Sequence, residues 1–421
     1  MKTLQHHHLR TVILVAVLAL VTGSAWLDQP ALAGEARTMA MGGAQTASAR
    51  GLEAAVWNPA NLAFSPGGAF GLVGLSADLH NNSFTLARYN EVAGATLDQS
   101  DKERLLADIP EGGFRLNSEL QASGPGVHIG RFALTTGAVG AARGNLDRDF
   151  FDLMLFGNEL GETVDFSDTW GDGYAIGDVS LSWGQPVYEG ALGRMAVGVT
   201  ASYLYGIYEM HVDEAYGSVT TEFAEISGEA FAAATTSDQG SGYGLDLGAA
   251  WQAPGGWTFG LAVDNILGSV DWTGNVERHE MQVQASDINV LNDDLDNAVA
   301  NSDTSYAAPG YSTSLPRRVR TGVALDRGTF LVAADYVQGF NDQAGSSTTP
   351  QLNLGLEWRP FGLLTPRGGV SLGGDRGVGV AGGLGLDMLW WQVDFAVAHR
   401  GGLSAGDTRG LGFAVSSQLK F

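Results

Sequence analysis

The stretch that most constrains this chain is its last one, LGFAVSSQLKF, from Leu411 to Phe421. Leu411, Phe413, Val415, Ser417, Leu419 and Phe421 occupy every second position, and Gly412, Ala414, Ser416, Gln418 and Lys420 fill the gaps with small or polar groups. Period-two alternation sends the two sets to opposite faces of a β-strand. The pattern recurs upstream: Met195, Val197, Val199, Tyr203 and Ile207 alternate with Ala196, Gly198, Thr200 and Ser202, and Trp391, Val393, Phe395 and Val397 with Gln392, Asp394, Ala396 and Ala398. Aromatic residues fall towards the strand ends and aliphatic ones in the middle, as an apolar band between two interfaces requires.

The other end of the chain indicates where such strands live. Lys2 and Arg10 form a basic region, Thr11 to Val21 an apolar one, and Ala31-Leu32-Ala33 a small-x-small cleavage site. Residues 1–33 therefore read as an export signal, with the mature protein beginning at Gly34. No later run of about 18 apolar residues exists, which excludes helical spans. A soluble β-sandwich would show the same alternation. The leader, the terminal Phe421 and strands of ten or more residues argue against it.

Composition narrows the chemistry. Glycine contributes 60 of the 421 residues, about twice the usual share, and charged residues only 16%. This suits short alternating strands joined by tight turns. Cysteine is absent, which removes thiol chemistry and cysteine metal sites. A net charge of −23, with lysine only at positions 2, 102 and 420, repels nucleic acid. The acidic run Asn292 to Asn297 reads as a solvated loop.

No catalytic, metal or cofactor site emerges. The five histidines after the leader are scattered and show no metal-ligand spacing. His399, Ser404 and Asp407 are close in sequence but lie in a turn without a nucleophile elbow. The glycines of Gly369 to Asp387 lack a Lys-Ser/Thr ending and alternate like a strand pair; they read as lumen-facing or as packing under a plug.

Two further stretches carry a resemblance. ARTMAMGGA (Ala36 to Ala44) and AVWNPANLA (Ala55 to Ala63) follow the leader in that order. Together they resemble the mature N-terminus of the FadL/PorV-like outer-membrane superfamily, with Asn58, Pro59 and Ala60 matching its Asn-Pro-Ala turn. The terminal strand, with Phe413, Val415, Leu419 and Phe421, likewise looks like the C-terminal signature of outer-membrane barrels. That likeness implies recognition by the barrel-assembly machinery. The fold implied is an all-β transmembrane protein: an antiparallel outer-membrane β-barrel with an N-terminal lumen hatch and short helices. The expected layout is a signal peptide over 1–33, a hatch over 34–68 and a barrel over 69–421.

Within that frame Ala69 to His80, Asn82 to Gly94, Phe114 to Ser123 and Gly126 to Gly144 read as strands. Leu97 to Pro110 reads as a helix capped by Ser100 with Glu103. Leu146 to Leu160 reads as a greasy helix, and Asp287 to Thr313 as an irregular surface loop. About sixteen or seventeen candidate strands are present, against the fourteen that the resemblance implies and the even number that such barrels favour. The implied function is passive transport of a hydrophobic, fatty-acid-like molecule across the outer membrane of a Gram-negative-type bacterium. Asn58 to Ala60 would gate it, and Phe150, Phe151, Leu153 and Met154 would line a hydrophobic path. A non-transporting barrel that binds a secretion partner is the alternative.

Overall fold

In the computed structural model residues 35–421 are described, except 224, 289–298, 361 and 405. The expected leader, the acidic run and part of the expected 287–313 loop fall outside them.

Strands run in the order β1 (Gly68–Asn81), β2 (Phe114–Ser123), β3 (Gly126–Ile129), β4 (Phe132–Leu146), β5 (Thr163–Asp165), β6 (Trp170–Gly190), β7 (Gly193–Thr221), β8 (Ile226–Ser237), β9 (Gln239–Gln252) and β10 (Trp257–Gly274). They continue as β11 (Glu277–Ile288), β12 (Val299–Ala307), β13 (Tyr311–Ser314), β14 (Arg318–Asp326), β15 (Phe330–Gly339), β16 (Gln351–Trp358), β17 (Leu364–Gly373), β18 (Gly379–Met388), β19 (Trp391–Arg400) and β20 (Gly410–Lys420). Strands β2 and β3 share the neighbours β1 and β4, and β13 and β14 both pair with β10, so each pair forms one wall strand. The wall is a closed antiparallel barrel of fourteen strands. It closes where β1 meets β20, from Ala69 opposite Lys420 to His80 opposite Gly410. Phe421 extends the seam: its N–H donates to the Gly68 carbonyl at 3.0 Å and its own carbonyl accepts from Gly68 at 2.8 Å.

The alternation read from the sequence is the alternation of the wall. Phe395, Val397, Leu411 and Phe413 are exposed on the outside, whereas Asp394, Ala396, Ala398 and Ser416 are buried on the inside. A single strand carries Tyr243 and Trp251 outward, eight residues or about 27 Å of extended chain apart. After strand tilt, that is the height of an apolar band between two aromatic girdles. Short turns join the strands at the end where both chain termini of the barrel lie, and the longer connections gather at the other end. Beyond that second end, the outer half of β7 continues with β8, β11 and β12 as a sheet outside the wall.

Several expectations need correction. Asn82 to Gly94 is not a strand; β1 stops at Asn81 and a helix spans Leu86–Val92 (α3), because Thr85 Oγ1 caps it by accepting from Arg88 N at 3.1 Å. The next helix, α4 (Gln99–Asp108), is capped by Asp98 and Asp101 rather than by Ser100 and Glu103, since those two carboxylates reach each other's backbone N–H. Gly126 to Gly144 is a hairpin, turned at Gly130 with φ +58°. Within Asp287 to Thr313, residues 299–307 and 311–313 are strand, held by pairing with β11 and β10.

Two helices, α1 (Glu35–Ala40) and α2 (Leu52–Trp57), and a 3-10 helix (Pro59–Phe64) form the N-terminal segment. It sits inside the barrel as a hatch. Ala36, Ala40, Met41, Ala44, Ala47, Ala54, Ala60 and Leu62 are all fully buried there, small enough for the segment to pack flat against the wall. The greasy helix appears as α5 (Arg148–Phe156) at the long-loop end.

Candidate functional site

The hatch is fitted to the wall through backbone, and the wall makes room with glycine. Gly184 on β6 stands opposite Gly198 on β7, and Gly198 opposite Gly248 on β9. A Cβ on any of these three would collide with Asn58, Pro59, Ala60, Leu62 or Ala63. Gly260 on β10 faces Thr46, the opposed pair Gly355 and Gly369 faces Met41 and Gly42, and Gly383 on β18 faces Ala40. The wall therefore carries a belt of inward glycines at the level of the hatch, where backbone approaches backbone.

The Asn58-Pro59-Ala60 turn is a tie within the hatch and onto the wall. Asn58 Oδ1 accepts from Ala60 N at 3.2 Å and caps the 3-10 helix, with Pro59 at its first position. Asn58 Nδ2 donates to the carbonyls of Thr46 and Ala249, each at 3.1 Å. Asn61 Nδ2 donates to the same Thr46 carbonyl at 3.0 Å.

Buried charge fixes the other side. Asp335 Oδ2 accepts from Gln45 N at 2.8 Å and Thr46 N at 2.7 Å. Arg37 of the hatch bridges Glu53, 2.5 Å away, and Glu357 of β16, 2.7 Å away. Glu357 also receives Arg367 at 2.7 Å, and Arg367 reaches Asp394 at 2.5 Å. Burial disfavours the Arg37 cation, but Glu357 and Glu53 outweigh it and hold its pKa above the ordinary value. Asp335 and Glu357, both buried on the inner face of the wall, thus anchor the hatch. Asp264 pairs with Arg320 and Asp387 with Lys420.

On the long-loop side of the hatch the lumen opens into a cavity of about 480 Å³. One wall is apolar: Val139, Ile176, Leu204 and Leu315 line it and pack on the buried Trp272. The facing wall is charged, with Asp78 receiving Arg400 at 2.7 Å and Arg376 bound to Glu119. The cavity also reaches two irregularities of the barrel. At the first, Gly124-Pro125 separates β2 from β3, bridged by Gly124 N to the Thr136 carbonyl at 2.9 Å and Thr136 Oγ1 to the Pro125 carbonyl at 3.1 Å. At the second, Asn265 bulges out of β10 with φ +50°, its Nδ2 donating to the Pro316 carbonyl at 2.8 Å and its N–H to Asp246 at 2.6 Å.

The residues singled out in the sequence separate into three places. Asn58, Pro59 and Ala60 are in the hatch and fully buried. Phe413, Val415 and Leu419 lie along the barrel seam beside Phe421. Phe150, Phe151, Leu153 and Met154 sit outside the lumen, on α5. There Phe151 meets Phe114 at 5.8 Å, Phe114 meets Phe84 at 5.5 Å, and Phe150 meets Phe166 at 6.2 Å between ring centroids. Ser404 donates to Asp407 at 2.6 Å, in an exposed turn. The Gly184, Gly198 and Gly248 patch and the amphipathic lumen were not recognised from sequence, whereas Gly369 and Gly383 fall in the stretch read there as lumen-facing or packing under a plug; only the register between distant strands assembles the belt.

Compared with known proteins, residues 59–239 and 220–397 match the model of a family of unknown function, DUF5723. No curated protein sequence matches the chain. Among solved structures, the toluene transporter TodX of P. putida superposes with a TM-score of 0.52 at 13% identity, covering 91% of this chain and 97% of that one. CymD, a monoaromatic hydrocarbon channel, gives 0.52 at 13% identity over 93% and 98%. A Pseudomonas aeruginosa FadL homologue gives 0.51 at 12% identity over 93% and 98%. The fold is that of the FadL-type barrels.

Proposed function

The chain belongs to the DUF5723 family, and from that premise we propose that it is an outer-membrane channel of a Gram-negative-type bacterium, passing a hydrophobic small molecule without an energy source. The observation that carries this is the two-faced cavity above a seated hatch. A fatty-acid-like ligand lays its apolar body on Val139, Ile176 and Leu204 and turns its polar head to Arg376 and Arg400. The greasy surface of α5, with Phe150, Phe151, Leu153 and Met154, lies at the long-loop end, which faces outward in such barrels. Ligand collects there, enters the lumen, and leaves when the hatch shifts about Asn58 to Ala60 or when the wall yields at Gly124-Pro125. Barrels of the same fold that carry toluene or monoaromatic hydrocarbons support the reading.

The test is uptake. Expressed in a host lacking its own fatty-acid transporter, the protein should restore entry of a labelled long-chain fatty acid. A correctly inserted barrel that gives no uptake of a fatty acid or an aromatic hydrocarbon would overturn the proposal. One observation favours a second reading, a barrel that docks a secretion partner. The sheet of outer β7, β8, β11 and β12 stands clear of the wall and exposes Tyr216, Met281 and Tyr306. Co-purification of a partner that is lost when residues 214–233 and 277–307, which leave wall strands β9 and β10 in place, are each replaced by a short turn, with no uptake in either protein, would select it.

A further inference from the structure

A second cavity, of about 440 Å³, lies on the other side of the hatch, at the short-turn end where Phe421 and Gly68 close the seam. Its carboxylates are taken. Glu53 and Glu357 hold Arg37 at 2.5 and 2.7 Å, Asp326 holds Arg359 at 3.1 Å, and Asp387 holds Lys420 at 2.6 Å. Arg50 is different: among the described residues no carboxylate comes within ion-pair distance of it. Its Nη1 donates to the carbonyls of Ala47 at 3.0 Å and Ala49 at 2.7 Å, and its Nη2 reaches Thr258 Oγ1 only at 3.5 Å. Among the described residues Nε makes no hydrogen bond.

We propose that this cavity is a binding site for a small organic anion, a carboxylate or phosphate monoester with an apolar body, held by Arg50. A guanidinium tied by one nitrogen to backbone is fixed in direction, and its remaining N–H groups suit an oxyanion accepting two parallel hydrogen bonds. Phe64, 6.0 Å from the guanidinium carbon, packs beside it, and Leu331 and Ala69 give an apolar wall for the rest of the ligand. Burial and then the nearby Arg37 cation push the Arg50 pKa down to about 10, with Arg359 adding to the push against the opposing Asp326. An anion in the cavity relieves that repulsion. The site does not depend on transport, because it lies beneath a seated hatch and opens at the opposite end from the lumen cavity.

The experiment uses the full chain in detergent with three water-soluble probes: benzoate, phenyl phosphate and the neutral benzyl alcohol. Equilibrium dialysis should give one bound anion per chain that is lost with Arg50, counted apart from any anion held by the lumen arginines, benzoate against phenyl phosphate telling a carboxylate site from a phosphate site, with no competition from benzyl alcohol. Arg50→Gln should weaken the preferred anion at least tenfold, while Arg104→Gln on the exposed face of α4 leaves it unchanged. Should Arg50→Gln unseat the hatch, the wild-type protein supplies a second reading. Phenylglyoxal modification of Arg50, mapped by peptide mass spectrometry, should be slowed by the anion and not by benzyl alcohol. Wild-type affinity in Arg50→Gln, equal competition by the alcohol, or no binding of either anion would each overturn the proposal. Loss of uptake with anion binding intact would count against transport alone.

Discussion

A methyl group on Gly184 would stand 2.7 Å from the Pro59 carbonyl oxygen and 2.8 Å from Ala63 N. Both neighbours are backbone and neither can swing aside. Gly184→Val therefore leaves the wall strand intact, because valine suits a strand, and lifts the hatch off its seat. The expected result is normal insertion and heat-modifiable migration on gels, with a several-fold faster leak of small solutes from liposomes. The same leak should follow deletion of Gly34 to Ala63, and a protein as tight as wild type in both cases would contradict the plug assignment.

Asp335 holds the opposite side of the hatch through two backbone N–H groups on one oxygen. Asp335→Ala strands both donors in a buried place and should weaken hatch docking by about 2–4 kcal/mol. Asp335→Asn keeps an acceptor oxygen and should lose less. Hydrogen exchange at Gln45 and Thr46 measures the difference directly. It should accelerate strongly in the alanine variant and modestly in the asparagine variant, while exchange in β18 to β20 stays slow.

How much of this was legible beforehand depends on whether a feature is local. The outward set Leu411, Phe413 and Val415 alternates within one strand, so its face could be read from a window of a few residues. The Asn58 cap is local too, and the motif around it was visible. Gly184, Gly198 and Gly248 are ordinary strand glycines until register places them side by side on one patch of hatch. Arg50 carried no signal in the sequence, because its lack of a counter-ion depends on Glu53, three residues away, and the distant Asp326, Glu357 and Asp387 being already paired. Asn82 to Gly94 misled for another reason. Its apolar residues fit both periods, and only the Thr85 cap and the end of β1 at Asn81 decide for helix.

The long-loop end offers a pH test outside the wall. Asp342 Oδ1 accepts from Thr348 N at 2.6 Å and Oδ2 from Thr348 Oγ1 at 2.8 Å. The Thr348 N–H, with Arg143 adding at longer range, holds the Asp342 carboxyl below its ordinary 3.8. A depressed carboxyl stabilises the ordered loop above the ordinary value, and that contribution is lost as pH falls through the lowered one. The connection between β15 and β16 should therefore stay ordered at pH 7 and 5 and loosen below about pH 4. Pepsin cleavage between residues 340 and 350, followed at pH 4 and pH 2.5, checks it. Asp342→Asn should abolish the pH step.

The aromatic cluster on α5 separates a ligand path from a mere packing contact. Phe151 meets Phe114 and Phe150 at 5.8 Å each, so its ring supports the loop, whereas Met154 is 40% exposed. If ligand collects on this surface, Met154→Gln should slow uptake of a labelled fatty acid while leaving the loop folded, because it removes apolar surface without opening a cavity. Phe151→Ala should slow uptake and also loosen the loop, since it removes a half-buried ring packed on Phe114 and Phe150. Uptake measured at limiting ligand concentration, alongside protease resistance of residues 146–166, distinguishes the two effects. Normal uptake in Met154→Gln would place the path elsewhere and leave α5 as a structural brace at the barrel mouth.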